Sequence, residues 1–534
     1  MATESPKPRI PFAASVANRA DMPDVDSRLI NGYLERQEDK TIHVYRRPGL
    51  ALFHRFGAGG GRGIYNWQGD VYAIYGGRFY KNLVQVGSII DNGKIFSFTA
   101  ILGTRSTLFF HNGDHAYIWD NFGLIVTLVP GATIARTGSM TPGSVLITGL
   151  SSTTGILVNS GVVGDVGVLP GSYIVSIDSA TQVSMNAPSV TGAAGAHLTF
   201  TTPGFPSNPL VPGVTYLDGT TYVMDVKAKI YGSNINDVTS LGWEAVNTII
   251  AQIEPDNGVC LAKQLVYVVA FKQWSTEFFY DAANPVGSPL GTVQGNKVSQ
   301  GCRDAGTVAS LEGDLFWVST TREGNVDVYM MSGARPSPIG TPSIERLLQY
   351  ADFTGCWSFG FHISGHKFYV LTLPRANFTL VYDMTSKEWA RWTDPNDNYW
   401  PYVSATYGAQ QQVLLQEELD GDMYQASATY FADEGNVIPF DLYTPNWDGG
   451  ARTRKILTRM DFIGDQQPGT ILKIRKSDDD YKSWSNYREV DMGKERPNLR
   501  DCGTFRRRAW HISNRTISPL RLQAAELHLS VGTD

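Results

Sequence analysis

The chain has 534 residues, more than one compact core usually holds, and 42% of them are hydrophobic and 11% aromatic, which excludes a disordered tail and a single small domain. Charged residues make up only 18% while Gly 54 and Pro 27 are abundant, so many turns join many short strands and the chain is mostly β. A net charge of −6 argues against a coat that holds nucleic acid by charge alone.

Residues 1–45 carry little periodicity, with Pro6, Pro8, Pro11 and Pro23 in the first half, and read as an extended arm that docks on something larger. The first residues, MATESPKPRIPFAAS, carry no apolar core of a signal peptide, and no window approaches the roughly 18 apolar residues of a membrane helix. The expectation is a soluble chain not exported by the usual route. Cys260, Cys302, Cys356 and Cys502 lie far apart without a CxxC pair, which suits free thiols in a reducing cytoplasm and gives no zinc spacing.

From residue 46 a local pattern recurs: an aromatic strand, a Gly/Asp/Asn turn, a second aromatic strand. It appears as IYNWQGDVYAIYGGRFYKN from Ile64, LFFHNGDHAYIWDN from Leu108, VTYLDGTTYVMD from Val214 and VASLEGDLFWVSTT from Val308. It is weaker in LVYVVAFKQWSTEFFYD from Leu265 and returns in VSATYGAQQQVLLQ from Val403. Residues 359–392 give the clearest case, with predicted strands at 359–363, 367–373, 378–382 and 388–392. Gly69 and Gly113 are about 44 residues apart, Gly313 and Gly365 about 52, Gly365 and Gly408 about 43, which are spacings of four-stranded propeller blades. The gap from Gly113 to Gly219 is too long for one blade, and between residues 138 and 202 the only Asp, Glu, Lys or Arg are Asp165 and Asp178. That stretch reads as an inserted small β-barrel or sandwich. Residues 343–350, SIERLLQY after Thr341-Pro342, predict a short helix. The predicted fold is therefore all-β: a β-propeller of six or seven blades in two parts (46–137 and 203–435), an inserted small β domain (138–202), and a C-terminal β-sandwich or closing strands (436–534).

Signatures of catalysis are not found: no HExxH, no GxSxG and no P-loop. GAGGGRG (57–63) does not fit GxGxxG and reads as a blade-entry loop. His111 and His115, like His362 and His366, straddle hairpin turns and read as exposed turn residues, not a metal pair. SDDDYKSW (477–484) fails as a calcium loop, with Lys482 and Ser483 at the wrong places. It fits a degenerate Asp-box in which Ser477, Asp479 and Trp484 match and Tyr481 replaces glycine. Glu417, Glu418, Asp420 and Asp422 read as a solvated loop, although two carboxylates at a suitable separation are what a glycosidase needs. Arg506, Arg507 and Arg508 sit on a predicted strand beside Trp510; phosphate contact, a salt-bridged subunit interface and a solvated edge are all open. No cofactor or metal is expected.

YRRPGL (45–50) with GRGIYNWQGDVYAIYGGRFYKN, WSTEFFYDAANPVGSPL (274–290), ARPSPIGTPSIERLL (334–348), LVYDMTSKEWARW (380–392) and FRRRAWHISNRTISPLRLQAAELHL (505–529) together, in this order, resemble the tail-hub or nozzle proteins of short-tailed phages. This is the packaged-DNA stabilisation, or tail accessory, family. The resemblance is read over the chain outside 138–202. It implies a non-enzymatic virion protein of the tail, assembled in the host cytoplasm. It further implies a hexameric ring beneath the portal and its adaptor that extends the DNA channel, retains packaged DNA, guides its ejection and holds fibres or a needle. Double-stranded DNA would pass without sequence-specific binding. A propeller that binds or cleaves glycans is the alternative reading.

Overall fold

The computed structural model describes residues 7–12, 15–19, 26–57, 59–102, 106–120, 125–284, 287–293 and 298–531. Parts of the expected arm (1–6, 13–14 and 20–25) lie outside them. Seven four-stranded antiparallel sheets follow one another at 61–88, 97–127, 215–250, 258–292, 309–338, 357–392 and 402–427, the seventh completed by Gly49–Arg55 from far upstream. These are the blades of a propeller. Their first strands face a central channel, and Tyr402–Tyr407 of the seventh packs on Gly61–Trp67 of the first, closing the circle.

Alternating aromatic and β-branched residues build each blade, and aromatic rings lock neighbouring blades. Phe79 stacks on Phe110 at 4.9 Å between blades one and two, Phe271 meets Trp317 at 5.1 Å between four and five, and Phe316 stacks on Tyr369 at 5.0 Å between five and six. Each such side chain, buried, stabilises by about 1.5–3 kcal/mol. The seam between the last and first blades adds a polar fastening. Buried Gln416 donates to Ile74 O (2.6 Å) and accepts from Gly63 N (2.8 Å) and Ser404 Oγ (2.9 Å).

The turn from first to second strand repeats as well. Ser364-Gly365 has φ of 51° and 82°, and Gln68-Gly69, Asp218-Gly219 and Glu312-Gly313 share this doubly left-handed form. Such turns match the twist of paired strands and favour glycine at the second place. In the sixth blade the strands are Trp357–Ile363, His366–Leu373, Phe378–Asp383 and Glu388–Trp392, within two residues of the prediction. In the second blade Gly113 lies instead between the second and third strands, Thr107–His111 and Ala116–Trp119, so the 44-residue spacing from Gly69 compares turns one strand out of step. The predicted helix is Pro342–Gln349, capped by Thr341 Oγ1 accepting from Ile344 N at 3.3 Å, with Ile344 and Leu348 buried on blade five.

Two additions stand on the propeller. A six-stranded sheet (133–201) occupies the link between blades two and three, with its own core of Ile147, Ile174, Val183, Leu198 and Phe200. At its neck the two chains touch: a Cβ on Gly204 would lie 2.0 Å from Gly131 N. The second addition is a sandwich. One sheet takes Arg9–Pro11, Gly32–Arg36, Ile42–Arg46, Lys455–Gly464, Asn498–Phe505 and Arg521–Val531. The other continues the sixth blade outward through Arg28–Ile30, Phe440–Tyr443, Ala509–Asn514, Ile471–Ser477 and Arg488–Asp491, a nine-stranded sheet in all. Residues 28–45, expected to belong to an extended arm, are thus mostly sandwich strands that bury Leu29, Leu34 and Val44. Their partners lie hundreds of positions away, so no local pattern signals the pairing.

Candidate functional site

Arg506 and Arg507 form a bend after Asn498–Phe505, and Arg508 makes an isolated bridge with Trp447 before Ala509–Asn514, so the three do not lie on the one strand that was predicted. The bend lets all three point differently from strict alternation. Arg508 is fully buried: Nε and Nη2 bind Asp478 Oδ1 and Oδ2 at 2.5 and 2.8 Å, Nη1 donates to Cys502 O at 2.7 Å, and the guanidinium lies 4.3 Å from the Phe505 ring. A desolvated guanidinium persists only when paired this fully. Arg507 is half-buried and pairs with Asp480 at 3.1 Å, whereas Arg506 is exposed. Asp480 also binds Arg19 of the N-terminal segment, and this hydrogen bond holds its carboxyl down to about 2. The triplet therefore divides into one internal brace and two surface cations.

The same sheet carries a cross-strand row. Arg28 stacks 4.0 Å over Tyr443, Tyr443 lies parallel to His511 at 3.9 Å, and Arg475 Nε donates to His511 Nδ1 at 2.8 Å. The other ring nitrogen of His511 donates to Asp441 at 2.7 Å, and burial lowers the imidazole's pKa. Beside this row the 477–484 hairpin has Asp-box geometry. Asp479 accepts from Ser477 Oγ (2.8 Å) and Ser483 N (3.0 Å), Trp484 packs against Tyr443 and Tyr481, and Tyr481 takes φ 66° where a glycine would sit more easily. These contacts are structural.

Charge separates sharply between the two parts of the molecule. Residues 1–48 and 436–534, the two ranges that contribute the sandwich strands, hold 25 Lys and Arg against 20 Asp and Glu, while residues 49–435, which contribute the propeller and its insertion, hold 20 against 31. The terminal ranges are thus +5 and the middle range −11.

The propeller channel holds a cavity of about 740 Å³ whose charged walls include Arg62, Lys94, Lys263, Asp304 and Glu418. Each is already engaged: Arg62 with Asp91 (3.1 Å), Lys94 with Asp114 (2.9 Å), Lys263 with Tyr216 O (2.6 Å), Asp304 with Gly306 N (2.8 Å) and Glu418 with Tyr399 OH (2.8 Å). Burial pushes the Cys260 and Cys356 thiols up, away from the reactive thiolate.

Two predictions of exposure are corrected. Glu417 and Asp422 are buried, not solvated: Glu417 accepts from Leu419 N (2.8 Å) and Asp420 N (2.5 Å), and Asp422 takes Arg55 Nε at 3.1 Å. The carboxylates close a blade turn, which satisfies otherwise orphaned amides. Among the histidines, His111 and His366 are buried. His111 Nε2 donates to Gly213 O at 3.0 Å, its Nδ1 accepts from Gly113 N at 3.2 Å, and burial lowers its pKa to about 4. His366 Nδ1 is 2.8 Å from Asp383, while His362 is exposed beside Tyr407. Among the described residues no group of three or more His, Cys, Asp or Glu is arranged to hold a metal, and no helix is long and apolar enough to cross a membrane.

Sequence reasoning missed the buried ionic cluster of blade four, where Lys272 Nζ lies 2.8 Å from Asp256 and 2.5 Å from Glu277. A lysine closing the apolar run VYVVAFK is the signal that could have found it. It also missed Arg47, buried against Asp433 at 2.5 Å and stacked 5.5 Å from Trp400.

The family profile described as Bacteriophage P22 Gp10, beta-propeller matches residues 147–425, just over half of the chain. That range takes in the inserted sheet from residue 147 and blades three to seven; it does not extend to the segments 45–50, 61–82 and 505–529 on which the resemblance was also read. Solved structures similar to this chain include BamB from Moraxella catarrhalis (10% identity, 71% of this chain and 99% of that one, TM-score 0.34). BBS1N in complex with ARL6DN is another (9% identity, 78% and 97%, TM-score 0.31). No curated protein sequence matches the chain.

Proposed function

The chain belongs to the phage-stabilisation family of Bacteriophage P22 Gp10 β-propellers, and from that premise we propose that it is a structural subunit of a tail hub or nozzle. In this role it forms a ring, six copies in the resemblance read from sequence, below the portal and its adaptor. The ring extends the DNA channel, helps retain packaged DNA and guides its exit. The family membership carries the reading. The engaged charges of the propeller channel favour it over a glycosidase, which needs a pair of carboxylates free to act in a cleft. The net −11 of residues 49–435 would let DNA slide past the assembly without sticking.

Mass spectrometry of purified virions combined with a ring count by electron microscopy tests this. The chain should be present in stoichiometric amounts, in rings at the tail. Its absence from virions, or turnover of a glycan that stops when Glu418 is changed to Gln, would overturn the proposal.

A further inference from the structure

The ring reading leaves open which surfaces meet. We propose that copies of this chain join head to tail, the basic tip of one sandwich docking on the acidic, aliphatic turn face of blades three and four of its neighbour. The inference rests on the ring-subunit reading and adds the contact that builds it.

The basic partner is the end of the sandwich around the 506–507 bend. Arg452, Arg488, Arg500 and Arg506 are exposed there. Arg488 is held in place by donating to Arg500 O at 2.6 Å and Asp501 O at 3.2 Å. Of the neighbouring carboxylates, Asp478 is committed to Arg508, Asp480 to Arg19 and Arg507, and Asp479 to its own turn, while Asp501 is exposed beside Arg500. Arg452 and Arg500 make no ion pair among the described residues. The exposed arginines outnumber Asp501, so the tip keeps an outward positive charge, in line with the +5 of residues 1–48 and 436–534.

The acidic partner is on the propeller. Blades three and four are each a four-stranded meander starting at the channel, so their first-to-second and third-to-fourth turns share one face. In blades three and four this face bears Asp218, Asp237 and Asp281, and with them Ile235 (73% exposed), Leu241 (61%), Leu265 (60%) and Val266 (60%). Ile235 sits beside the first turn of its own blade, since a Cβ on Gly219 would lie 2.9 Å from its Cγ2. Leu265-Val266 stands where blades one, three, five and six carry a glycine turn. Solvent does not favour such an aliphatic tip, whereas an apolar centre with a charged rim is how protein interfaces are built.

Position fits as well. The sandwich continues blade six and adjoins blade seven, and blades three and four lie across the seven-bladed circle from them. Two unlike surfaces on opposite sides of a subunit make a heterologous contact, the kind that closes a ring by rotation. A nucleic-acid backbone would satisfy the arginines but not the acidic, aliphatic face; a second copy satisfies both.

The test uses the full-length chain, with mass photometry and negative-stain microscopy at low and high salt. Wild-type rings should weaken as salt rises. Arg452→Glu with Arg500→Glu, and separately Asp218→Arg with Asp281→Arg, should each lower the ring fraction about tenfold or more while a cooperative melting transition is kept. Combining the two pairs should restore rings, a rescue that misfolding cannot give. Rings indifferent to both pairs overturn the inference and leave the ring reading standing. Intact rings that lose retention on a DNA column in the arginine variant identify a nucleic-acid surface and also overturn it. A wild-type chain that stays monomeric at every salt concentration overturns both.

Discussion

The inserted sheet and the sandwich are both additions to the same propeller, yet they are attached by opposite physics. The insertion is one continuous excursion, 133–201, with only Arg136, Asp165 and Asp178 charged, and its cross-contacts to the propeller are few, such as Asn159 to Glu244 at 2.8 Å. Its surface leaves Val163 at 70% exposure and Val190 at 59%. The sandwich is assembled from both ends of the chain, is dense in charge, and shares a hydrogen-bonded sheet with blade six. A unit closed on itself can be added to or removed from a loop at little entropic cost. A unit that completes another sheet's pairing cannot.

The largest expected effect comes from ending the chain after residue 435. This bares the half of the core made by Phe361, Trp392 and Trp400, which the sandwich covers, and should abolish soluble protein and cooperative melting. A soluble, cooperatively melting product would break the contrast.

Within the sandwich, Arg508→Ala strips two backbone carbonyls of their partner while Asp478, partly exposed, turns to water, and should cost about 1–3 kcal/mol in denaturant unfolding. A loss under about 1 kcal/mol would show that the brace is dispensable.

At the base of the insertion, His111 bonds Gly213 on the return strand, buried and neutral with a pKa lowered to about 4. Because the unfolded ring titrates near 6.5, the unfolded chain binds more protons between these values. Stability is then full above about pH 6.5 and falls by about 3 kcal/mol as pH drops to about 4. His111→Gln should flatten that part of a pH–stability curve, and a curve of unchanged slope would refute the assignment.

The smallest effect belongs to removal of 132–203 with Gly131 joined to Gly204, whose backbones already touch. Stability should change by no more than about 1 kcal/mol. Calorimetry showing a loss as large as that of Arg508→Ala would make the insertion an integral part of the propeller.

Legibility from sequence follows the range of the interactions. Blade six was readable strand by strand because its turns are local and its glycine and asparagine positions have positive φ, as at Gly365 and Asn377. The helix was readable from Thr341-Pro342. The fourth strand of blade seven was not, since Leu50 pairs with Ala426 and nothing near either residue announces the other. The candidate site was only partly legible. Three consecutive arginines mark a place where charge matters, but whether each is buried depends on the bend after Phe505 and on Asp478, both set by tertiary packing. Histidine burial was invisible for the same reason: His111 and His362 both precede a hairpin turn, yet the segment at Gly213 covers the first while the second stays exposed beside Tyr407.

The strand that completes blade seven also sets a clock. Gly49–Arg55 leaves the ribosome long before its partner Asp422–Ser427, made roughly 370 residues later, and Arg9 must await Glu526, 517 positions on. At translation rates of about 5–20 residues per second these early strands stay unpaired for tens of seconds. The circle of blades closes only once Ser427 is made, and the tip of the sandwich only after the bend that follows Phe505. A chain that stops before Asp422 lacks both, and one that stops between Ser427 and Phe505 lacks the tip, so in the proposed ring neither could offer a neighbour both docking surfaces.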